Sequence, residues 1–129
     1  MNIAIDDFDA TSKVVQLFID GEANGDVAKL KEACHADARM FGHVDGERYD
    51  ITLSEYFDIA ASAPANSSGT YRGRLVSVNQ VGDAAQAVVA EDGSWGSVSF
   101  VDFLSLARID GTWKIVCKTF AHTGGKMPS

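Results

Sequence analysis

Apolar positions recur at helical spacing in the first part of the chain and at strand spacing in the second half. Val14, Leu17, Phe18 and Gly21 lie three and four residues apart, which is one face of an α-helix. The pattern predicts a first helix from about Asp6 or Asp9 to about Ala23, with either acid as its cap. Asn24-Gly25 breaks that helix. Asp26 can cap a shorter one, Val27–Ala33, whose Val27, Leu30 and Cys34 form a second stripe. So short a link makes the two an αα-hairpin.

After Cys34 the period changes. His35-Ala36-Asp37 reads as a turn, residues 38–44 as a loosely alternating strand, Asp45-Gly46 as a hairpin turn and residues 47–51 as the return strand. Thr52 and Glu55 have the spacing of a capping box. Leu53, Phe57 and Ala60 give a third helix its apolar face, and that helix ends near Ala63-Pro64. From Thr70 onward the pattern is strand and turn only. The strands are 71–80, 84–91, 97–109 and 112–121, separated by Gly82-Asp83, residues 92–96 and Asp110-Gly111. Short separators mean antiparallel neighbours. Helices first and a meander second make the fold class α+β.

The most strongly patterned stretch is SVSFVDFLSLARIDGTWKIVCKTFA, residues 97–121. Its first arm of about 13 residues would span roughly 40 Å if straight, as wide as a whole domain of this length, so the hairpin must twist or curve. Apolar side chains fall on both parities: Val101, Phe103 and Ile109 on one, Phe100, Leu104 and Leu106 on the other. Helices can cover only one face of such a sheet. The pattern therefore predicts a homodimer formed through the sheet.

Composition narrows the classes of function. The 129 residues suit one domain, with 46% hydrophobic and 22% charged residues. Acidic residues outnumber basic ones by 18 to 11, a formal net charge of −7, and no Lys/Arg cluster offsets it. Nucleic acid and anionic membrane surfaces are poor partners for this charge. No apolar run approaches the roughly 20 residues of a membrane span. The acidic N-terminus lacks the basic and apolar segments of a secretory signal. A cytoplasmic protein with two unpaired thiols, Cys34 and Cys117, is expected. Residues 1–122 are read as a single domain and 123–129 as a flexible C-terminal tail.

Two blocks carry a family resemblance: LFIDGEANGDVAKLKEACHADARMFGHVDG at 17–46 and SFVDFLSLARIDGTWKIVCKTFAH at 99–122. The first joins a helix end, a Gly-Asp bridge, a second helix and a His-x-Asp-Ala turn leading into a strand. The second has an Asp-Phe entry, an Asp-Gly turn and a Trp-Lys-Ile-Val strand. The chain resembles the nuclear transport factor 2-like superfamily, also described as SnoaL-like or as a cystatin-like α+β cone. Within it the chain is most similar to the putative lumazine-binding family. The resemblance implies N-terminal helices packed in a strongly curved, mostly antiparallel sheet that forms a cone with a pocket at its open end. Members include isomerases, cyclases, dehydratases and plain binding or scaffolding proteins, so fold alone does not choose among them. The isomerases use an acidic base with a Tyr and a second acid. The first helix here has only Phe8 and Phe18 as aromatics, and Asp102 lies on a late strand where an acidic partner would be sought.

Asp102 is the polar residue most in need of explanation, because it stands between Val101 and Phe103 in the longest apolar strand. It is either a pocket acid or a structural acid paired with Arg or Lys on a neighbouring strand, or it faces solvent. His43 and His122 end strands and are candidate proton-transfer groups beside it. His35 and Asp37 read as turn chemistry. No spacing of these residues matches a metal motif, and no phosphate loop, dinucleotide fingerprint or nucleophile elbow is present, so neither metal nor cofactor is expected. Met40, Tyr56, Phe57, Tyr71 and Trp95, with Asp102, are the candidate ligand-binding residues, and the large side chains among them serve equally as core. Lys114 and Lys118 share a parity and, like Arg72 and Arg74, read as solvated or edge positions. The expected function is binding of a small apolar or aromatic molecule in a cone-shaped pocket. The alternatives are a cofactor-independent isomerase, cyclase or dehydratase, and a non-catalytic homodimeric interaction module.

Overall fold

The computed structural model describes residues 4–128. Helix α1 (Ile5–Asn24) and α2 (Val27–Ala33) come first, followed by β1 (Cys34–Val44), β2 (Glu47–Thr52) and α3 (Leu53–Ser62). The meander is β3 (Arg72–Val81), β4 (Ala84–Ser94), β5 (Val98–Ile109) and β6 (Thr112–Gly124). Six strands form one sheet in the order β2-β1-β6-β5-β4-β3. β1 and β6 run parallel, and the other neighbours are antiparallel. The class is α+β with a curved sheet around helices, as expected.

Local chemistry accounts for most boundaries. Asp26 accepts the Lys29 N–H and caps α2, and Thr52 and Glu55 form a reciprocal capping box at α3. α1 differs from expectation: it begins at Ile5, and its N-cap Ala4 makes no side-chain hydrogen bond. Asp6 and Asp7 lie in the first turn, where they favour the helix dipole without capping it. Gly25 ends α1 at φ 65°, and a Cβ there would sit 2.7 Å from the Ala60 carbonyl oxygen, so only glycine fits the α1–α3 approach. Asp45-Gly46 and Asp110-Gly111 share φ values of 51° and 80°, the left-handed pair of a two-residue hairpin whose twist matches its strands.

One expected turn, and the first part of one separator, are strand instead. Residues 35–37 belong to β1, which shifts register against β6 between Cys34 and Arg39. β4 continues to Ser94 through a shift between Glu91 and Ser94. β-Bulges tolerate turn-forming residues inside a ladder, which is why both stretches carry turn chemistry. β6 takes in residues 123 and 124.

A third irregularity matters most for function. Ser105 pairs with Cys117 but Leu106 pairs with Ile115, leaving Val116 as the extra residue on β6. A one-residue insertion moves every later side chain to the opposite face. Trp113 and Ile115 are buried before the bulge, and Lys118 is buried after it. The solvated position expected for Lys118 is therefore overturned, while Lys114 stays at the surface and donates to the Glu32 carbonyl.

The helices lie against the concave face, where Val15, Phe18, Leu30, Met40, Leu104 and Ile115 are fully buried. Along β5 the parity of Val98, Phe100, Asp102, Leu104 and Leu106 points inward. The opposite face leaves Phe103 44% exposed and Val76 62% exposed. Cys34 and Cys117 are free thiols. No described helix is long and apolar enough to cross a membrane.

Candidate functional site

Inside the cone, α3, the end of α1, the β1–β2 hairpin and the far ends of β5 and β6 enclose a cavity of about 400 Å³. Its walls are mostly large apolar side chains, with Met40, Tyr49, Tyr56, Trp95, Phe100 and Phe120 the bulkiest. Phe100 stands edge-on to Trp95 and to Phe120, with ring centres 6.0 Å apart in both cases. That geometry suits the ring quadrupoles and fixes the wall. The Trp95 indole N–H donates to the Ala63 carbonyl at 2.8 Å, tying the β4–β5 turn to the end of α3. Met127 and Pro128 complete the rim. The Met127 N–H donates to Asp45 Oδ2 at 3.2 Å.

The inner end of the cavity is charged. Glu22 arrives from α1 and Lys118 from β6, and both line the cavity. Lys118 Nζ donates to Glu22 Oε1 at 3.2 Å and pairs with Asp102 Oδ2 at 3.4 Å. The ammonium also lies about 5 Å from three ring centres, Phe18 at 5.1 Å, Tyr56 at 5.0 Å and Phe120 at 5.4 Å. Such cation–π contacts strengthen once desolvated. Behind this pair lies Glu91, 2% exposed, which accepts the Tyr71 hydroxyl at Oε2 at 2.7 Å. Carboxylate oxygens of Glu22, Glu91 and Asp102 all lie within 4.8 Å of one another. They are the group of metal-ligating side chains that converges among the described residues. Lys118 already places a positive charge against two of the three.

The protonation states follow from this crowding. Burial would raise the Glu22 carboxyl, but the adjacent Lys118 ammonium holds it below the ordinary glutamate range. Burial would lower Lys118, yet Asp102 and Glu22 outweigh it and hold the ammonium protonated well above its usual range. Asp102 is raised, by burial that Lys118 only partly offsets. Glu91 is pushed far up, by burial and then by repulsion from Glu22 and Asp102. Glu91 is thus the neutral member of the cluster. Its proton meets a need, since Asp102 Oδ1, Asp102 Oδ2 and Glu22 Oε2 otherwise accept no hydrogen bond.

Of the residues singled out from sequence, Met40, Tyr56 and Trp95 line the cavity. Asp102 lies one layer deeper, paired with Lys118 on the adjacent strand. Tyr71 stands behind Glu91. Phe57 packs against the core near Lys31, whose Nζ is 5.9 Å from its ring centre. His43 and His122 flank a separate shallow depression with Asp45 and Gly46. There His122 Nδ1 accepts the Asp45 N–H at 3.1 Å, and its Nε2 lies 2.9 Å from the Gly124 carbonyl. The structure does not bring either imidazole to the Glu22–Lys118 pair.

Glu22, Glu91 and Lys118 escaped sequence reasoning. Two of them left a signal. Glu22 falls four residues after Phe18 and three after Ile19, an acid on the buried stripe of α1. Glu91 shares the inward parity of Ala87 and Val89. Lys118 left none, because the bulge at Val116 hides its face.

Comparison with known proteins agrees with this architecture. The chain is 25% identical over 119 residues to a protein named aldolase FrzH from Cladobotryum sp, covering 92% of this chain and 94% of that one. The crystal structure of an NTF2-like protein of unknown function from Shewanella baltica OS155 superposes with a TM-score of 0.81 at 23% identity, covering 100% of both chains. A ketosteroid isomerase-like protein from Erwinia carotovora atroseptica SCRI1043 has the same fold, with a TM-score of 0.73 at 11% identity over 95% of this chain and 100% of that one. The fold is that of these NTF2-like structures; the model of the family described as "Putative lumazine-binding" matches residues 6–121, and the chain belongs to that family.

Proposed function

We propose that the protein binds a small, apolar-bodied carbonyl compound in the cavity and moves a proton on it without a cofactor. One observation carries this reading: Glu22 and Lys118 lie side by side, 3.2 Å apart, at the inner end of an otherwise largely apolar cavity. A carboxylate held ionised beside an ammonium held protonated offers one ligand carbonyl both a base and an oxyanion donor.

Glu22, the more exposed member of the pair, takes a proton from the carbon next to the carbonyl. The C–H electron pair becomes the enolate C=C bond, and the carbonyl π pair moves onto oxygen, where a Lys118 N–H donates. Return of the proton to another carbon is an isomerisation. Alternatively the enolate oxygen pair re-forms its C=O as the enolate carbon attacks a second carbonyl, whose π pair moves onto its own oxygen and takes the proton held by Glu22, giving an aldol product, the chemistry that the name of the Cladobotryum relative suggests. A protonated Lys118 supports this enolate route over an imine route, which needs the free amine.

The test is hydrogen–deuterium exchange at the α-carbon of 2-tetralone in D2O, followed by NMR. The wild-type protein is expected to accelerate exchange over buffer, and Glu22→Gln to lose roughly 10²–10⁴-fold of that rate. Binding of 2-tetralone without accelerated exchange overturns the catalytic part and leaves a binding protein with the same walls.

A further inference from the structure

We infer that the cavity selects uncharged ligands and rejects carboxylates and phosphates, despite the lysine at its floor. The inference rests on reading this cavity as the ligand site, and it specifies the class of ligand.

A buried lysine at the end of an apolar cavity has the outward form of an anion site. The charge balance says otherwise. Glu22, Glu91 and Asp102 crowd within 4.8 Å of one another, and Lys118 is the single cation that lines the cavity among the described residues. With Glu91 neutral, two carboxylates face one ammonium. If a second acid also takes up a proton, the floor becomes neutral. Positive charge arises only if all three acids are neutral, which the ammonium 3.2 Å from Glu22 opposes.

Lys118 is also already engaged. Glu22 and Asp102 hold its ammonium at 3.2 Å and 3.4 Å, and three aromatic rings surround it. No histidine lines the cavity among the described residues, and His122 has both ring nitrogens occupied by backbone groups. An incoming anion would shed its water against a floor with no spare positive charge.

A neutral ligand meets the opposite situation. Tyr56, Glu22 and Lys118 line the cavity, with Glu22 the more exposed member of the ion pair, at 15% against 6% for Lys118. A neutral ligand brings no charge to balance there, so its apolar body is buried without an uncompensated ion at the floor. The aromatic walls suit a flat or alicyclic body.

The experiment compares matched probes by calorimetry at pH 7.5: 2-acetonaphthone, 2-naphthoate and 2-naphthyl phosphate. The ketone is expected to bind roughly 10- to 100-fold more tightly than either anion, the cost of one unbalanced charge at the floor. Ala60→Phe, which fills the cavity, is expected to abolish ketone binding and so locate it. Asp102→Asn removes one acid and should narrow the gap by strengthening naphthoate. The wild-type comparison decides the matter if that variant does not fold. Naphthoate or naphthyl phosphate binding as tightly as the ketone overturns the charge selectivity and leaves the cavity assignment standing. No binding of any probe overturns the cavity assignment itself, and the selectivity with it.

Discussion

Replacing Lys118 with Met tests whether the buried charge cluster is arranged as described. Met keeps most of the side-chain volume, so the substitution removes a charge without opening a large cavity. The ammonium lies 3.2 Å from a Glu22 oxygen and 3.4 Å from an Asp102 oxygen. At an effective dielectric of about 20, each attraction amounts to about 5 kcal/mol before desolvation is subtracted. Removing one partner of a buried ion pair costs about 3–5 kcal/mol net, because the remaining charges stay buried. Lys118→Met is therefore expected to lose about 3–5 kcal/mol at pH 7.5 in urea unfolding followed by far-UV circular dichroism.

The sign of the pH dependence provides the sharper check. In the wild-type protein Glu22 lies below its ordinary value of 4.5, a shift in which Lys118 overcomes burial. Its ionised form stabilises the fold above the unfolded value, and that contribution is lost as pH falls through the folded value. Without Lys118, burial and mutual repulsion remain, and the carboxyls move above their unfolded values. The variant then gains stability as pH falls from 7.5 toward 5, opposite in sign to the Glu22 contribution in the wild-type protein. Glu22→Gln added to Lys118→Met should recover about 1–3 kcal/mol, a coupling read from the double-mutant cycle. A Lys118→Met protein within 1 kcal/mol of wild type at both pH values would refute the buried-cluster account.

Three further outcomes are expected. Glu91→Gln replaces a neutral carboxyl with a neutral amide of the same shape, so its urea midpoint at pH 7.5 should correspond to a loss under about 1 kcal/mol; a loss above about 3 kcal/mol would mean that Glu91 is ionised. Burial pushes the Cys34 thiol up to about 12, so Ellman's reagent on the native protein at pH 8 should modify half-buried Cys117 first, and equal rates would contradict the packing at Cys34. We propose that a second copy covers the outer sheet face, where Phe103 is 44% exposed; Phe103→Asp should convert a dimer to a monomer by light scattering at micromolar concentration, and an unchanged mass would place the interface elsewhere.

The site was less legible than the fold because the two depend on different information. Helix stripes, caps and Asp-Gly turns are properties of a few adjacent residues, and the chain displays them openly. Asp26, the Thr52–Glu55 box and the Asp110-Gly111 turn all do in the structure what their spacing predicts. Asp102 was recognisable as a misfit in an apolar strand, and the alternative of a lysine partner on an adjacent strand is the one found. Glu22 and Glu91 were legible in principle, as acids on apolar faces, but each alone resembles an ordinary surface acid.

The sequence by itself determined the elements, their order, the α+β class and the family. Tertiary structure decided which polar residues meet. Glu22 and Lys118 are 96 residues apart, and only the pairing order β6-β5-β4 beneath α1 brings Lys118, Asp102, Glu91 and Glu22 together. Lys118 depends on that structure twice over. A single extra residue in β6 turns it from the solvent face to the cavity floor, because strand side chains alternate with a period of two and one insertion reverses every side chain that follows.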